Sequence, residues 1–190
     1  MLKKKLMMAT MLLATATVSS NVFAVNILSN SGFETGALAP WFQDRDFSGN
    51  ENWNVTSALA HTGNYSATDD GNKEIRQNLK ATSVSDITEV SFWLYSPDDL
   101  FSAYLFFYSD GTNEQRIVSG ATDTWAFFDV TSELDAGKSL VAFSLFGNSV
   151  GRTYLDDVTI NASVPEPATL TLMGLGMAGV GYQRRRRLTA

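Results

Sequence analysis

The sequence has no cysteine, one histidine and four prolines. Without cysteine there is no disulfide to staple an exported domain, and no thiolate to serve as nucleophile or zinc ligand. Any exported part must therefore be held by its apolar core, with or without a metal. A Ser–His–Asp triad would have to be built around His61, which stands in the turn-forming stretch His61-Thr62-Gly63-Asn64, and no nucleophile-elbow serine is present. A turn role for His61 is the plainer reading. Basic residues are scarce between the two ends. Residues 25–163 carry seven Lys and Arg against nineteen Asp and Glu, a net charge of −12. A domain of that charge repels phosphate backbones, which argues against nucleic acid as a partner. A long apolar stripe of 3.6-residue period is also missing, which argues against α/β enzyme architectures.

The missing basic residues sit at the chain ends. Lys3-Lys4-Lys5 precedes an apolar run from Leu6 to Val18, and Val22-Phe23-Ala24 supplies small or modest residues at the −3 and −1 positions. This pattern predicts a Sec signal peptide over residues 1–24, engaging the Sec translocon and cut by signal peptidase after Ala24. Residues 25–163 remain as one domain, long enough to bury a core. At the other end, Val164-Pro165-Glu166-Pro167 is followed by the uncharged apolar segment Ala168 to Gln183 and then by Arg184-Arg185-Arg186-Arg187. The prolines fix φ and keep the residues before them extended, separating the domain from the apolar segment. A helix over 168–183 rises about 23 Å, slightly short of a ~30 Å hydrocarbon core. Local bilayer thinning, or arginine side chains reaching back to the headgroups, covers the gap. Clustered arginine stays cytoplasmic, which puts the upstream domain outside.

The order of turn, apolar rod and basic cluster, over Val164 to about Leu188, resembles the PEP-CTERM sorting signal of Gram-negative bacteria. The resemblance implies recognition by an exosortase, a membrane cysteine protease-transpeptidase. It also implies transient anchoring in the inner membrane, removal of the tail, and delivery to the cell surface or extracellular matrix of a bacterium that makes exopolysaccharide. An ordinary C-terminal membrane anchor is the alternative.

Between the ends the pattern is that of short strands, eight to ten of them, separated by Gly, Asn, Asp and Ser. The opening strand is expected at 26–28 and the closing one at 152–160. In 90–96, Val90, Phe92 and Leu94 share one face and Ser91, Trp93 and Tyr95 the other. In 103–109, Ala103, Leu105 and Phe107 oppose Tyr104, Phe106 and Tyr108. In 139–146, Val141, Phe143 and Leu145 are expected to face inward. Such spacing predicts an all-β fold, an antiparallel sandwich or barrel.

Three landmarks are similar to the galactose-binding-like jelly rolls, the fold of many carbohydrate-binding modules. They are Asn30-Ser31-Gly32-Phe33-Glu34-Thr35-Gly36 followed by Trp41, then His61-Thr62-Gly63-Asn64-Tyr65-Ser66, then Tyr154-Leu155-Asp156-Asp157-Val158-Thr159-Ile160. The resemblance implies a structural Ca²⁺ held by Glu34 and by Asp156 or Asp157, with loop carbonyls completing the shell. Strand alternation does not decide between the two aspartates. The alternative is that all three are solvated loop and edge acids. Ca²⁺ takes six to eight oxygen ligands, and a carboxylate fixed at a strand end gains from such a partner.

Trp93, Tyr95, Tyr104, Phe106 and Tyr108 occupy the second face of two strands that are expected to be neighbours. Rings on an open jelly-roll sheet can stack on sugars, so these five are the candidate polysaccharide platform. The alternative is that this face is covered and the domain is a matrix protein without a specific glycan. Trp41, Trp53 and Trp125 read as core or loop-pinning residues. A glycan-active hydrolase needs two carboxyls facing across a cleft. The adjacent pairs Asp69-Asp70, Asp98-Asp99 and Asp156-Asp157 have the look of turn and strand acids, so no catalytic function is expected.

Overall fold

The computed structural model describes residues 22–43, 53–71, 73–98, 100–120, 123–147, 151–165 and 176–177. The predicted signal peptide up to residue 21, nearly all of the predicted membrane helix, and Glu166, Pro167 and Arg184–Arg187 lie outside them. No helix among the described residues is long and apolar enough to cross a membrane. The sandwich occupies the compact unit Phe23–Val164.

Among the described residues ten strands build it: β1 Val22–Asn26, β2 Asn54–Thr56, β3 Ser66–Asp69, β4 Glu74–Ser83, β5 Ile87–Tyr95, β6 Leu100–Tyr108, β7 Asn113–Gly120, β8 Ala126–Asp129, β9 Ser139–Phe146 and β10 Thr153–Pro165. Among its described residues the helical content of the sandwich is two short 3₁₀ turns, Val84–Asp86 and Thr131–Glu133. One sheet has six strands in the order β2-β3-β10-β5-β8, with β1 also paired to β10; the other runs β4-β9-β6-β7. Neighbouring strands pair antiparallel in both sheets. The architecture is the jelly-roll sandwich that the strand pattern and landmarks predict.

The two sheets meet through aromatic rings. Phe92 of β5 lies 5.7 Å from Tyr104 of β6 and 5.8 Å from Phe143 of β9, centroid to centroid. Val90, Phe92 and Leu94 are all fully buried, as alternation on β5 requires. On β10 the inward set changes parity, from Leu155 to Val158 and Ile160. A bulge between Asp156 and Thr159 supplies the extra residue.

Three expectations are corrected. First, β5 and β6 are not neighbours: they lie in different sheets, so the chain crosses the sandwich between them. Tyr104, Phe106 and Tyr108 consequently point into the core. Both faces of β6 are apolar, so alternation alone had no way to choose the buried one. Tyr108 remains satisfied there because its hydroxyl accepts the Asp135 N–H at 2.9 Å. Second, β9 buries Leu140 with Phe143 and Leu145, while Val141 is only half-buried; a register shift against Phe107 and Tyr108 of β6 moves the inward position. Third, the opening strand is Val22–Asn26 rather than 26–28. Beyond it the chain stays on β10 through Ile27 N–H to Ile160 O (2.8 Å) and the Asn26 side chain, which donates to Val158 O and accepts from Ile160 N–H. Cleavage after Ala24 would leave Val25 and Asn26 of β1 in place.

Candidate functional site

The opening motif, the 61–65 turn and the bulge of β10 converge. Asn30 (φ 51°) takes the left-handed conformation that asparagine tolerates and ties the loop by donating to Ala37 O and Ala39 O. Ser31 O accepts the Val158 N–H at 3.0 Å, joining the motif to β10. Glu34 reaches the turn: its Oε1 accepts the N–H groups of Asn64 and Tyr65, each at 2.9 Å. Asp156 Oδ2 accepts the N–H groups of His61 (2.8 Å) and Thr62 (3.2 Å), and its Oδ1 accepts the Asp157 N–H. Asp157, at φ 47° in the bulge, turns the other way. Its Oδ2 lies 2.7 Å from His61 Nδ1 and its Oδ1 accepts the Thr62 hydroxyl at 2.7 Å. The bulge thus settles which aspartate turns inward: Asp156 is fully buried, Asp157 half-buried. Burial pushes the Asp156 carboxyl up to about 6 against the pull of its amide donors.

Carboxylate oxygens are the donor type that an oxygen-seeking cation takes. A Cβ on Gly32 would meet Asp157 Oδ1 at 3.4 Å, Asp156 Oδ1 at 3.6 Å and Glu34 Cγ at 3.9 Å, so the glycine leaves a cradle that all three acids line. Glu34 Oε1 and Asp156 Oδ2 each already accept two N–H groups, so the acceptor capacity left over is on Glu34 Oε2, Asp156 Oδ1 and the Asp157 carboxylate. Among the described residues no three acidic or histidine side chains are grouped so that they could hold a metal ion.

The outer face of the six-stranded sheet carries the second feature. Trp93 of β5 pairs with Phe127 of β8, and Tyr95 with Tyr154 of β10. The rings form two cross-strand groups. In one, Phe127 lies 5.1 Å from Trp93, and His61 stacks on that indole at 3.8 Å. In the other, Tyr95 stands 5.7 Å from both Trp125 and Tyr154. His61 also meets Trp125 edge-on at 5.5 Å, which joins the groups. Phe127 is 51% exposed; the other rings are half-buried. Of the five aromatic residues predicted as a platform, then, Trp93 and Tyr95 are on this face and Tyr104, Phe106 and Tyr108 are in the core. Trp41 and Trp53 are buried as expected, but Trp125 belongs to the face. Trp125, Phe127, Tyr154 and His61 were missed as members. Period-two alternation links Trp125 to Phe127, but not β8 to β5.

The acidic pairs separate. Asp69 is buried and Asp70 exposed; Asp156 is buried and Asp157 half-buried; Asp98 is exposed, and Asp99 lies outside the described residues. Val164 and Pro165 form the end of β10.

Residues 163–187 match the model of the PEP-CTERM protein-sorting motif. No curated protein matches the sequence. Solved structures do match the fold. The carbohydrate-binding module TmCBM61, solved in complex with β-1,4-galactotriose, is 21% identical with a TM-score of 0.51, over 72% of this chain and 97% of its own. The CBM22-1 xylan-binding domain of Paenibacillus barcinonensis Xyn10C is 15% identical with a TM-score of 0.51, over 78% and 97%. The enzymatically active domain of tailspike protein 4 from bacteriophage CBA120 is 13% identical with a TM-score of 0.56, over 74% of this chain but 22% of its own. The chain is therefore similar in fold to carbohydrate-binding jelly rolls and carries a PEP-CTERM motif at its end.

Proposed function

We propose that this chain is an exported module, sorted through its C-terminal tail to the cell surface or extracellular matrix, that binds polysaccharide on the outer face of its six-stranded sheet. The sorting motif supports export and exosortase processing, with the C-terminal segment as membrane anchor until the tail is removed. The observation that carries the binding reading is the aromatic face on three adjacent strands. Phe127 and Trp93 lie in one cross-strand row, and Trp125, Tyr95 and Tyr154 in the next. Rings presented to solvent in that way offer apolar faces to the C–H side of a sugar, with phenol and imidazole groups at their edges to hydrogen-bond its hydroxyls. A Ca²⁺ ion held by Glu34, Asp156 and Asp157 would be structural, neutralising the buried acid and locking the joint between the first and last strands.

The mature exported protein should retard on affinity gels cast with a cognate polysaccharide, and a Trp125→Ala, Phe127→Ala double variant with unchanged melting should not. Equal mobility of the two proteins on every polysaccharide would refute the reading. One observation favours the alternative, a matrix protein without a specific glycan: His61 covers one side of Trp93. In that case Trp125→Ala, Phe127→Ala alters assembly of the matrix rather than sugar binding.

A further inference from the structure

The charges of the sandwich are divided between its two sheets. Among the described residues, every Lys and Arg that lies in a strand belongs to the four-stranded sheet: Arg76 and Lys80 on β4 and Arg116 on β7. The six strands of the other sheet contain none, but they do contain acids. Several of these acids, and one from a neighbouring loop, border the aromatic face. Asp157 Oδ2 holds His61 where it stacks on Trp93. Asp123 Oδ1 accepts the Tyr95 hydroxyl at 3.2 Å. Asp129 is two residues from Phe127 on β8 and pairs with Ser91, whose hydroxyl donates to Glu89 Oε1 on the same strand. Hydrogen bonds from Thr131 hold the Asp129 carboxyl below its ordinary value, so it is charged across the neutral range. Among the described residues Arg152 is a cation at the margin of the face, hydrogen-bonded to Tyr154.

We infer that this face takes a glycan bearing protonated amines, a partly or fully de-N-acetylated amino-sugar polymer, in preference to neutral or acidic polysaccharides. The inference rests on the glycan-binding reading and names its ligand class. An ammonium group gains twice on such a surface. It is attracted to the negative faces of Trp and Tyr rings, and it meets carboxylates that no basic strand residue of the same sheet neutralises. A uronate or sulfate meets the same carboxylates as repulsion, and a neutral sugar keeps only the stacking. The electrostatic share of the preference must weaken with salt, because the carboxylates are near the surface.

The test is calorimetric titration of the mature exported protein with three ligands: chitosan oligomers, the same oligomers fully N-acetylated, and an oligogalacturonate. At low ionic strength and a pH that keeps the amine protonated, the chitosan oligomer should bind about tenfold or more tighter than its acetylated form, a difference of about 1.4 kcal/mol. The galacturonate should not bind, and added salt should shrink the preference. Because the whole domain is acidic, two charge-matched variants are compared. Asp123→Asn, Asp129→Asn should lose the amine preference while still binding the acetylated oligomer. Asp110→Asn, Glu114→Gln, at the far sheet, should keep it. Equal affinity for the two oligomers, or an equal loss in both variants, overturns the inference while leaving glycan binding intact. Failure of all three ligands and of every neutral polysaccharide removes the glycan-binding reading and the inference with it.

Discussion

The imidazole of His61 lies on the indole of Trp93 with centroids 3.8 Å apart and planes 18° from parallel, and Asp157 holds its Nδ1 at 2.7 Å. One residue thus belongs both to the turn that joins the ends of the fold and to the aromatic face. In His61→Ala the indole gains solvent on one side, and its emission should shift to the red. The melting temperature should fall by the equivalent of about 1 kcal/mol. His61→Phe should restore the stack and most of the emission but not the bond to Asp157. Emission unchanged in His61→Ala would mean that the stack does not persist in solution.

Core and face residues should separate cleanly by phenotype. Phe106, fully buried with its ring 6.0 Å from that of Phe143, should cost about 3–5 kcal/mol when replaced by alanine, as a cavity in a packed core does. Phe127→Ala, at an exposed ring, should cost about 1 kcal/mol or less. Urea titrations of the two variants check this. Equal losses would place Phe127 in the core as well.

Asp69 should make stability fall as pH rises. It is 1% exposed, and burial lifts its carboxyl from 3.8 to about 6 against hydrogen bonds from backbone N–H groups, Lys73 first. In the unfolded chain it ionises near 3.8 and in the folded chain near 6. Between those values the unfolded state has released a proton that the folded state retains, so rising pH favours unfolding, on the order of 3 kcal/mol in full. Below the lower value the penalty is gone; above the upper one it is constant. Asp69→Asn should reduce the slope of the melting profile between about pH 4 and 6, leaving the part contributed by Asp156, which burial also raises to about 6. An identical profile in the variant would show that Asp69 does not titrate in this way.

If Ca²⁺ binds in the cradle beside Gly32, adding it to chelator-treated protein should raise the melting temperature. Asp156→Asn should abolish the response and Asp110→Asn should not. Absence of any shift at millimolar Ca²⁺ would mean that hydrogen bonds hold the joint without a metal.

Much of the architecture could be read along the chain because strand periodicity and turn chemistry are local. Val90, Phe92 and Leu94 declare an inward face, and Gly63, at φ 64°, marks a turn by its type. The sorting tail is likewise written in composition and order, and residues 163–187 match its model. The convergence of Glu34, Asp156 and Asp157 was legible from a resemblance between motifs, not from spacing.

Which strands are neighbours is not local. The crossing between β5 and β6 sent Tyr104, Phe106 and Tyr108 into the core and brought Trp125, Phe127 and Tyr154 beside Trp93 and Tyr95 instead. The choice between Asp156 and Asp157 also needed three dimensions, because one bulged residue reverses the parity on which any alternation argument depends. By itself the sequence determined that the chain would form antiparallel strands around an apolar core and end in a sorting signal. Tertiary structure decided which aromatic residues reach solvent, since a strand with two apolar faces has its orientation set by the sheet that receives it.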